Sequence, residues 1–223
     1  MKSLRKFLII SAALISATAA HAQFGGLGGM VGGGGGGGGG GDVSGDVAAF
    51  LAKSQILSGL ASRSVSAINA AFSSEEESAK KRVALEAIDK ITDTSEKEAK
   101  KAALYESESA ETKRKLASGE MEKAIGSLSE AKKKQVTAAL GNFSIGALQA
   151  VDLLKTGQNL VQKASSSPMN IPKVVPVKDA LPLLSQVGSD AGGLFAGVIK
   201  LARGANIAVP EVKSDSKPVD LTF

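Results

Sequence analysis

Large apolar residues between Val47 and Phe72 recur at steps of three and four: Phe50, Leu51, Leu57, Leu60, Val65 and Ile68 complete the series. That period marks one face of an α-helix. It predicts an amphipathic core helix over Asp42 to Phe72, capped by Asp46 or Ser44. Lys53, Ser54, Ser62, Arg63, Ser66 and Asn69 fall on the other face and are expected to meet solvent. Two cations among many serines suit a membrane surface poorly, so packing against other helices is the expectation.

From Ser74 to Ser165 the pattern changes to charged, alanine-rich sequence without proline. Ser73-Ser74-Glu75-Glu76-Glu77 is a helix start: a serine oxygen accepts first-turn amides, and carboxylates sit at the positive end of the dipole. Acids then precede lysines by four residues at Glu76/Lys80, Glu77/Lys81, Glu86/Lys90, Asp93/Lys97, Glu96/Lys100, Glu111/Lys115 and Glu130/Lys134. Each such pair adds roughly 0.3 kcal/mol to an isolated helix. Glycine readily takes the positive φ of a helix end, so Gly119 predicts a reversal. The expectation is a long antiparallel helical hairpin, with Val83, Leu85, Ile88 and Ile91 opposite Leu148, Val151 and Leu154 at its base. Tyr105 is expected near Lys133 to Val136, and Ser95, Ala102, Ser109 and Thr112 on the inner face. With so few large apolar residues between Thr92 and Lys115, the hairpin is expected to be loosely held toward its tip. Lys115, Ser118, Gly119, Glu120 and Glu122 at that tip are the candidate partner contacts.

The returning arm is richer in apolar residues, with Gly141, Gly146 and Gly157 offering close contacts or a kink. Pro168, Pro172 and Pro176 predict an extended linker to Val177. A short helix, Ala180 to Val187, and a second one capped at Ser189-Asp190 and ending at Gly204 are expected to follow, then an irregular tail over 205–223. Gly193 and Gly197 have a spacing that permits tight helix contact.

The first 22 residues read as a secretory signal peptide: Lys2, Arg5 and Lys6, an apolar centre from Phe7 to Ile15, and a cleavage site at Ala20-His21-Ala22 before Gln23. Its removal lowers the formal charge from +5 to +2 and takes the only histidine. A small net charge with interleaved signs is no nucleic-acid footprint. Residues 23–46 form a glycine-rich segment with an unbroken run from Gly32 to Gly41, expected to be a disordered tether.

The expected chain is therefore all-α: a helical bundle over 47–204 with a long hairpin turning near Gly119, preceded by a disordered Gly-rich segment. Without cysteine or mature histidine, it offers no thiol catalysis, disulfide or usual zinc site. The serines lie in no nucleophile-elbow context, and the acids are spread along helix faces. No catalytic, cofactor-binding or metal-binding residue is assigned, and neither nucleic acid nor a small-molecule substrate is indicated. The functional expectation is a non-enzymatic exported protein of the cell envelope, periplasmic, acting as an interaction or spacer element toward another envelope protein or a second copy. The alternative is a membrane-active protein that meets bilayers through Ala139 to Leu154 and Ala191 to Leu201.

Overall fold

The computed structural model describes residues 43–213 and 215–221, and among these every regular element is helical. In chain order they are α1 (Ser44–Ala71), α2 (Glu75–Asp89), α3 (Thr94–Ala117), α4 (Glu120–Ile125), α5 (Glu130–Ser165), α6 (Val175–Asp190) and α7 (Ala196–Gly204). A 3₁₀ turn, Pro172–Val174, leads into α6, and a π-helical stretch, Ala191–Phe195, joins α6 to α7. The all-α bundle expected from the periodicity is the observed architecture. The signal peptide, its cleavage residues Ala20, Ala22 and Gln23, and the glycine run lie outside the described residues.

Local chemistry sets most of the boundaries. Ser74 caps α2 in a capping box: its side chain accepts from the Glu77 amide while the Glu77 carboxylate accepts from the Ser74 amide. Asp93 and Ser129 cap α3 and α5 by accepting from the amides of Glu96 and Lys132. Gly119 has φ +72° and turns the chain between α3 and α4, where a Cβ would be strained. At α1 neither Asp46 nor Ser44 is the cap; the N-cap position is Val43, with no side-chain cap bond.

α1 is the axis of the bundle. α5 runs antiparallel to it, as Gln135 reaches the Ala67 carbonyl and Gly157 lies against Phe50. α6 runs back along α5, with Leu181 against Gly157 and Gly188 facing Val151. Further along, Phe143 of α5 and Phe195 stack with their rings parallel. α3 runs parallel to α1, pairing Ser58 with Glu98 and Asn69 with Glu108. α2 is the antiparallel crossover that makes this possible, with Ser78 on the Ala70 carbonyl and Arg63 on Asp89. The apolar core fills the space among α1, α5 and the α6–α7 rod: Phe50, Val65, Ile68, Leu140, Phe143, Leu184 and Val198 are all buried.

Several sequence expectations are corrected here. The outgoing arm is two helices, because Asp93 caps a new one after the turn at Lys90 to Thr92. The chain does reverse near Gly119, but α3 packs on α1 instead of closing on α5. Val83 is accordingly 61% exposed, and Leu148 and Val151 are exposed as well, instead of facing one another. Pro172 and Pro176 open helical turns, where a missing amide costs nothing, instead of holding an extended linker. The helix continues through Pro182 and past Ser189-Asp190, so the two expected short helices are one rod with a π turn in it. α1 also lacks a solvent face of the expected kind: Ser54, Ser62, Ser66 and Asn69 are buried, leaving Arg63 exposed.

The glycines of α5 make close contacts. At Gly157 an added Cβ would come within 2.7 Å of both the Phe50 ring and Leu181. Gly146 faces Leu60 and Gly141 faces Pro210 of the tail. That tail has no strand among its described residues. It lies against α5, with Ile207 buried, Thr137 donating to the Ala208 carbonyl, and Asn142 bonded both ways to the Val219 backbone.

Candidate functional site

The chemistry of the molecule is concentrated where α1, α2 and α3 meet. Ser58, Ser62, Ser66 and Asn69 recur at steps of four, four and three and so form one polar stripe along α1, which Ser73 extends just past the helix end. Lys101, Tyr105, Glu108, Thr112 and Lys115 form the matching stripe on α3. Facing stripes bond across the seam. Ser62 donates to the Lys101 carbonyl, and Lys101 Nζ reaches the Gln55 carbonyl at 3.4 Å. Asn69 Nδ2 donates to Glu108 Oε2 at 2.8 Å and to the Glu108 carbonyl.

Glu108 is the centre of this seam and only 5% exposed. Both of its carboxylate oxygens accept from Lys81 of α2, at 2.8 and 2.9 Å. Lys81 also donates to Glu111, which in turn pairs with Lys115 at 2.8 Å. Lys115 donates to the Ser73 hydroxyl, and Lys132 of α5 to the Ser73 carbonyl. Burial disfavours the Lys81 ammonium, but its bonds to Glu108 and Glu111 outweigh that and hold its pKa above the ordinary value. Burial likewise pushes Glu111 up, while its bonds from Lys115 and Lys81 more than reverse this, so it titrates below the usual range. Two acids and two lysines neutralise one another here.

A second polar knot joins α3 to the α6–α7 rod. The buried Tyr105 hydroxyl donates to Asp190 Oδ2 at 2.9 Å, and Lys113 approaches Asp190 Oδ1 at 2.6 Å. Burial, then the Asp190 charge, push the Tyr105 pKa far up. Tyr105 is therefore committed to Asp190, not to the region of Lys133 to Val136. The π turn that starts just after Asp190 holds an extra residue, and Asp190, Leu194 and Phe195 are all buried.

The expected tip residues divide. Ser118, Glu120 and Glu122 are exposed, and the Glu120 carboxylate is held below its usual pKa by Arg114, then by Ser118. Lys115 is drawn into the seam and 6% exposed, so it is no part of an outer contact surface. Of the expected inner face, Ser109 and Thr112 are buried, Ala102 is half-buried and Ser95 is exposed. Sequence reading missed Glu108, Lys81, Asn69 and Asp190. The signal that could have found Asn69 and Glu108 was the polar stripe on α1 matched by a polar stripe of the same period on α3; Lys81 and Asp190 lie on other helices and carry no such signal.

The clefts outside the core are open. One of about 490 Å³ is lined by Ser144, Ala147, Leu148, Val151, Asp152, Ala191 and Val212. Another of about 290 Å³ lies between α2 and α5, where Arg82, Glu75 and Lys132 are spread around it. Neither gathers a nucleophile, a base and an oxyanion donor. Among the described residues no group of three or more His, Cys, Asp or Glu could hold a metal ion, and no helix is long and apolar enough to cross a membrane. Compared with protein families, curated proteins and solved structures, the chain matches none.

Proposed function

We propose that this is a non-enzymatic, exported protein of the cell envelope that works by binding another protein through its α2–α3 layer. The observation that supports this reading is the division of that layer. Its inward charges are matched in closed pairs within the layer, Lys81 of α2 with Glu108 and Glu111 of α3 and Lys115 with Glu111, while Val83, Ala103, Glu106 and Ala110 face outward without a neighbouring helix over them. A charged surface of this length, held to the bundle at low hydrophobic gain, is accounted for by a contact it makes elsewhere. The partner is an envelope protein or a second copy of the chain. Export rests on the basic, apolar and small-residue pattern of residues 1–22.

The apolar helices of the membrane-active alternative, around Ala139 to Leu154 and Ala191 to Leu201, turn most of their large apolar residues into the bundle, with Leu140, Phe143, Ala150, Leu194 and Val198 buried and Leu148 and Val151 exposed. The test places a photo-crosslinking residue at Val83 and at Glu106 in cells. A discrete protein adduct at both supports the reading; adducts only within the same chain sink it. Amino-terminal sequencing of the mature protein, expected to begin at Gln23, tests export independently.

A further inference from the structure

The α5–α6 turn carries the densest exposure of large apolar side chains on the described surface. Within seven residues, Met169 is 82% exposed, Ile171 44% and Val175 49%, interleaved with the exposed Pro168, Pro172 and Pro176. Isolated exposed hydrophobics are normal, but a cluster at one end of a bundle marks a contact. The backbone beneath it is firm. Asn170 and Val174 are buried, the Asn170 amide donates to the Ser167 carbonyl, and the Lys173 amide donates to the Asn170 carbonyl. The apolar side chains thus project from a fixed turn.

The charge around this knob has one sign along the chain. From Leu153 to Lys178 there are four cations, Lys155, Lys163, Lys173 and Lys178, and no acid. The flanking acids along the chain are Asp152 on α5 and Asp179 on α6, and α1, which carries Asp46 near its start, also contacts the 3₁₀ turn. Three apolar side chains fall far short of the roughly 20–30 residues a side of a standard protein interface. They do suffice to seat a turn in the headgroup region of a bilayer, where apolar burial and attraction of lysines to anionic lipid add together.

We propose that the α5–α6 turn is a docking site for an anionic lipid surface, with Met169, Ile171 and Val175 entering the interface and Lys163 and Lys178 meeting the headgroups. The site lies on a different part of the bundle from the outer face of α2–α3 and does not depend on the protein partner proposed there. It would hold the bundle at a membrane by one end and leave the charged layer free to engage that partner.

The protein has no tryptophan, so a single Met169→Trp substitution reports on this spot alone, and Val83→Trp serves as its control on α2. The full chain is mixed with phosphatidylcholine vesicles with and without a third of phosphatidylglycerol. Expected is a blue shift of the indole emission from Met169→Trp on the anionic vesicles, weakened by salt, with the emission from Val83→Trp unmoved. Co-flotation should fall at least about tenfold for Met169→Asp/Ile171→Asp, which replaces apolar contact by repelled charge. Both positions are exposed, so the variant's unchanged thermal transition verifies its fold. An unshifted emission from Met169→Trp, equal shifts at both sites, or undiminished flotation of the double variant each overturn the proposal. So does a concentration-dependent self-association, without vesicles, that the double variant abolishes; that result assigns the knob to a second copy.

Discussion

α1 meets its neighbours on two sides by opposite means. Toward α5 and α6 it presents Phe50, Leu57, Val65 and Ile68, and glycines at 146 and 157 let the backbones approach. Toward α3 it presents Ser58, Ser62 and Asn69, which meet Glu98, Lys101 and Glu108, and Ser73 just past its end meets Lys115. The first contact gains free energy in proportion to area removed from water. The second exchanges hydrogen bonds to water for hydrogen bonds within the protein, with little net gain while every member stays paired and a large cost when one is removed. Two buried oxygens on the α1 side, Ser66 Oγ and Asn69 Oδ1, lack a partner even in the closed state. The bundle therefore has a stable half and a conditional half, built on two sides of one helix.

The largest blow to the stable half is Phe143→Ala, which removes a buried ring stacked on Phe195; urea denaturation is expected to show a loss of about 3–5 kcal/mol. Gly157→Ala drives a methyl into Phe50 and Leu181 and should cost about 1–3 kcal/mol by the same assay.

In the conditional half, Glu108→Ala leaves Asn69 Nδ2 with only the backbone carbonyl of residue 108 and strands part of Lys81, and about 2–3 kcal/mol is expected to go from the α2–α3 layer. Replacing both partners, Lys81→Met with Glu108→Leu, should recover much of that, because an apolar pair leaves no buried charge. A double-mutant cycle read by hydrogen exchange on α2 distinguishes these outcomes.

Acidity sharpens the contrast. Glu111 is held below its ordinary value of 4.5 in the folded state, so its contribution is present above that pH and is lost as pH falls through the lower folded value. Lys81 is held above 10.5, so its contribution persists up to that pH and is lost as pH rises through the higher folded value. A pH series of near-ultraviolet spectra or exchange rates should find the α2–α3 layer loosening at both extremes before α5 does. The smallest effects are local: Gly119→Ala, forced into φ +72°, and Ser74→Ala, which loses the capping box, should each cost about 1 kcal/mol in thermal melts.

The parts legible in the sequence were those carried by local pattern within one segment. Ser74 with Glu77 announced a helix start, Gly119 a reversal, and the period of Phe50, Leu57 and Ile68 a core helix. Asp93 was equally readable as a cap, since Glu96 follows it by three, but six acid–lysine spacings before Gly119 suggested one unbroken arm. Only some of those spacings became pairs: Glu76 meets Lys80 and Glu111 meets Lys115, whereas Lys81 left Glu77 for α3 and Lys97 reached the Asp89 carbonyl.

The polar seam was harder to see for a physical reason. Hydrophobic pattern separates apolar faces from polar ones, but a polar face can be answered by water or by another polar face. Ser62 and Asn69 look the same in both cases until α3 is placed over them. The prolines misled similarly, because a first helical turn and an extended linker both tolerate a missing amide, and only the packing of Val174 and Val177 chose the helix.

Native-state hydrogen exchange across low urea concentrations is the most direct test that the two halves differ in kind. The amides of α2 and α3 are predicted to exchange through a shared opening well below the free energy of global unfolding, made easier by salt and by Glu108→Ala. Those of α5 and α6 are predicted to exchange only with global unfolding. Exchange of α2 and α3 solely through global unfolding, indifferent to salt and to Glu108, would contradict the account.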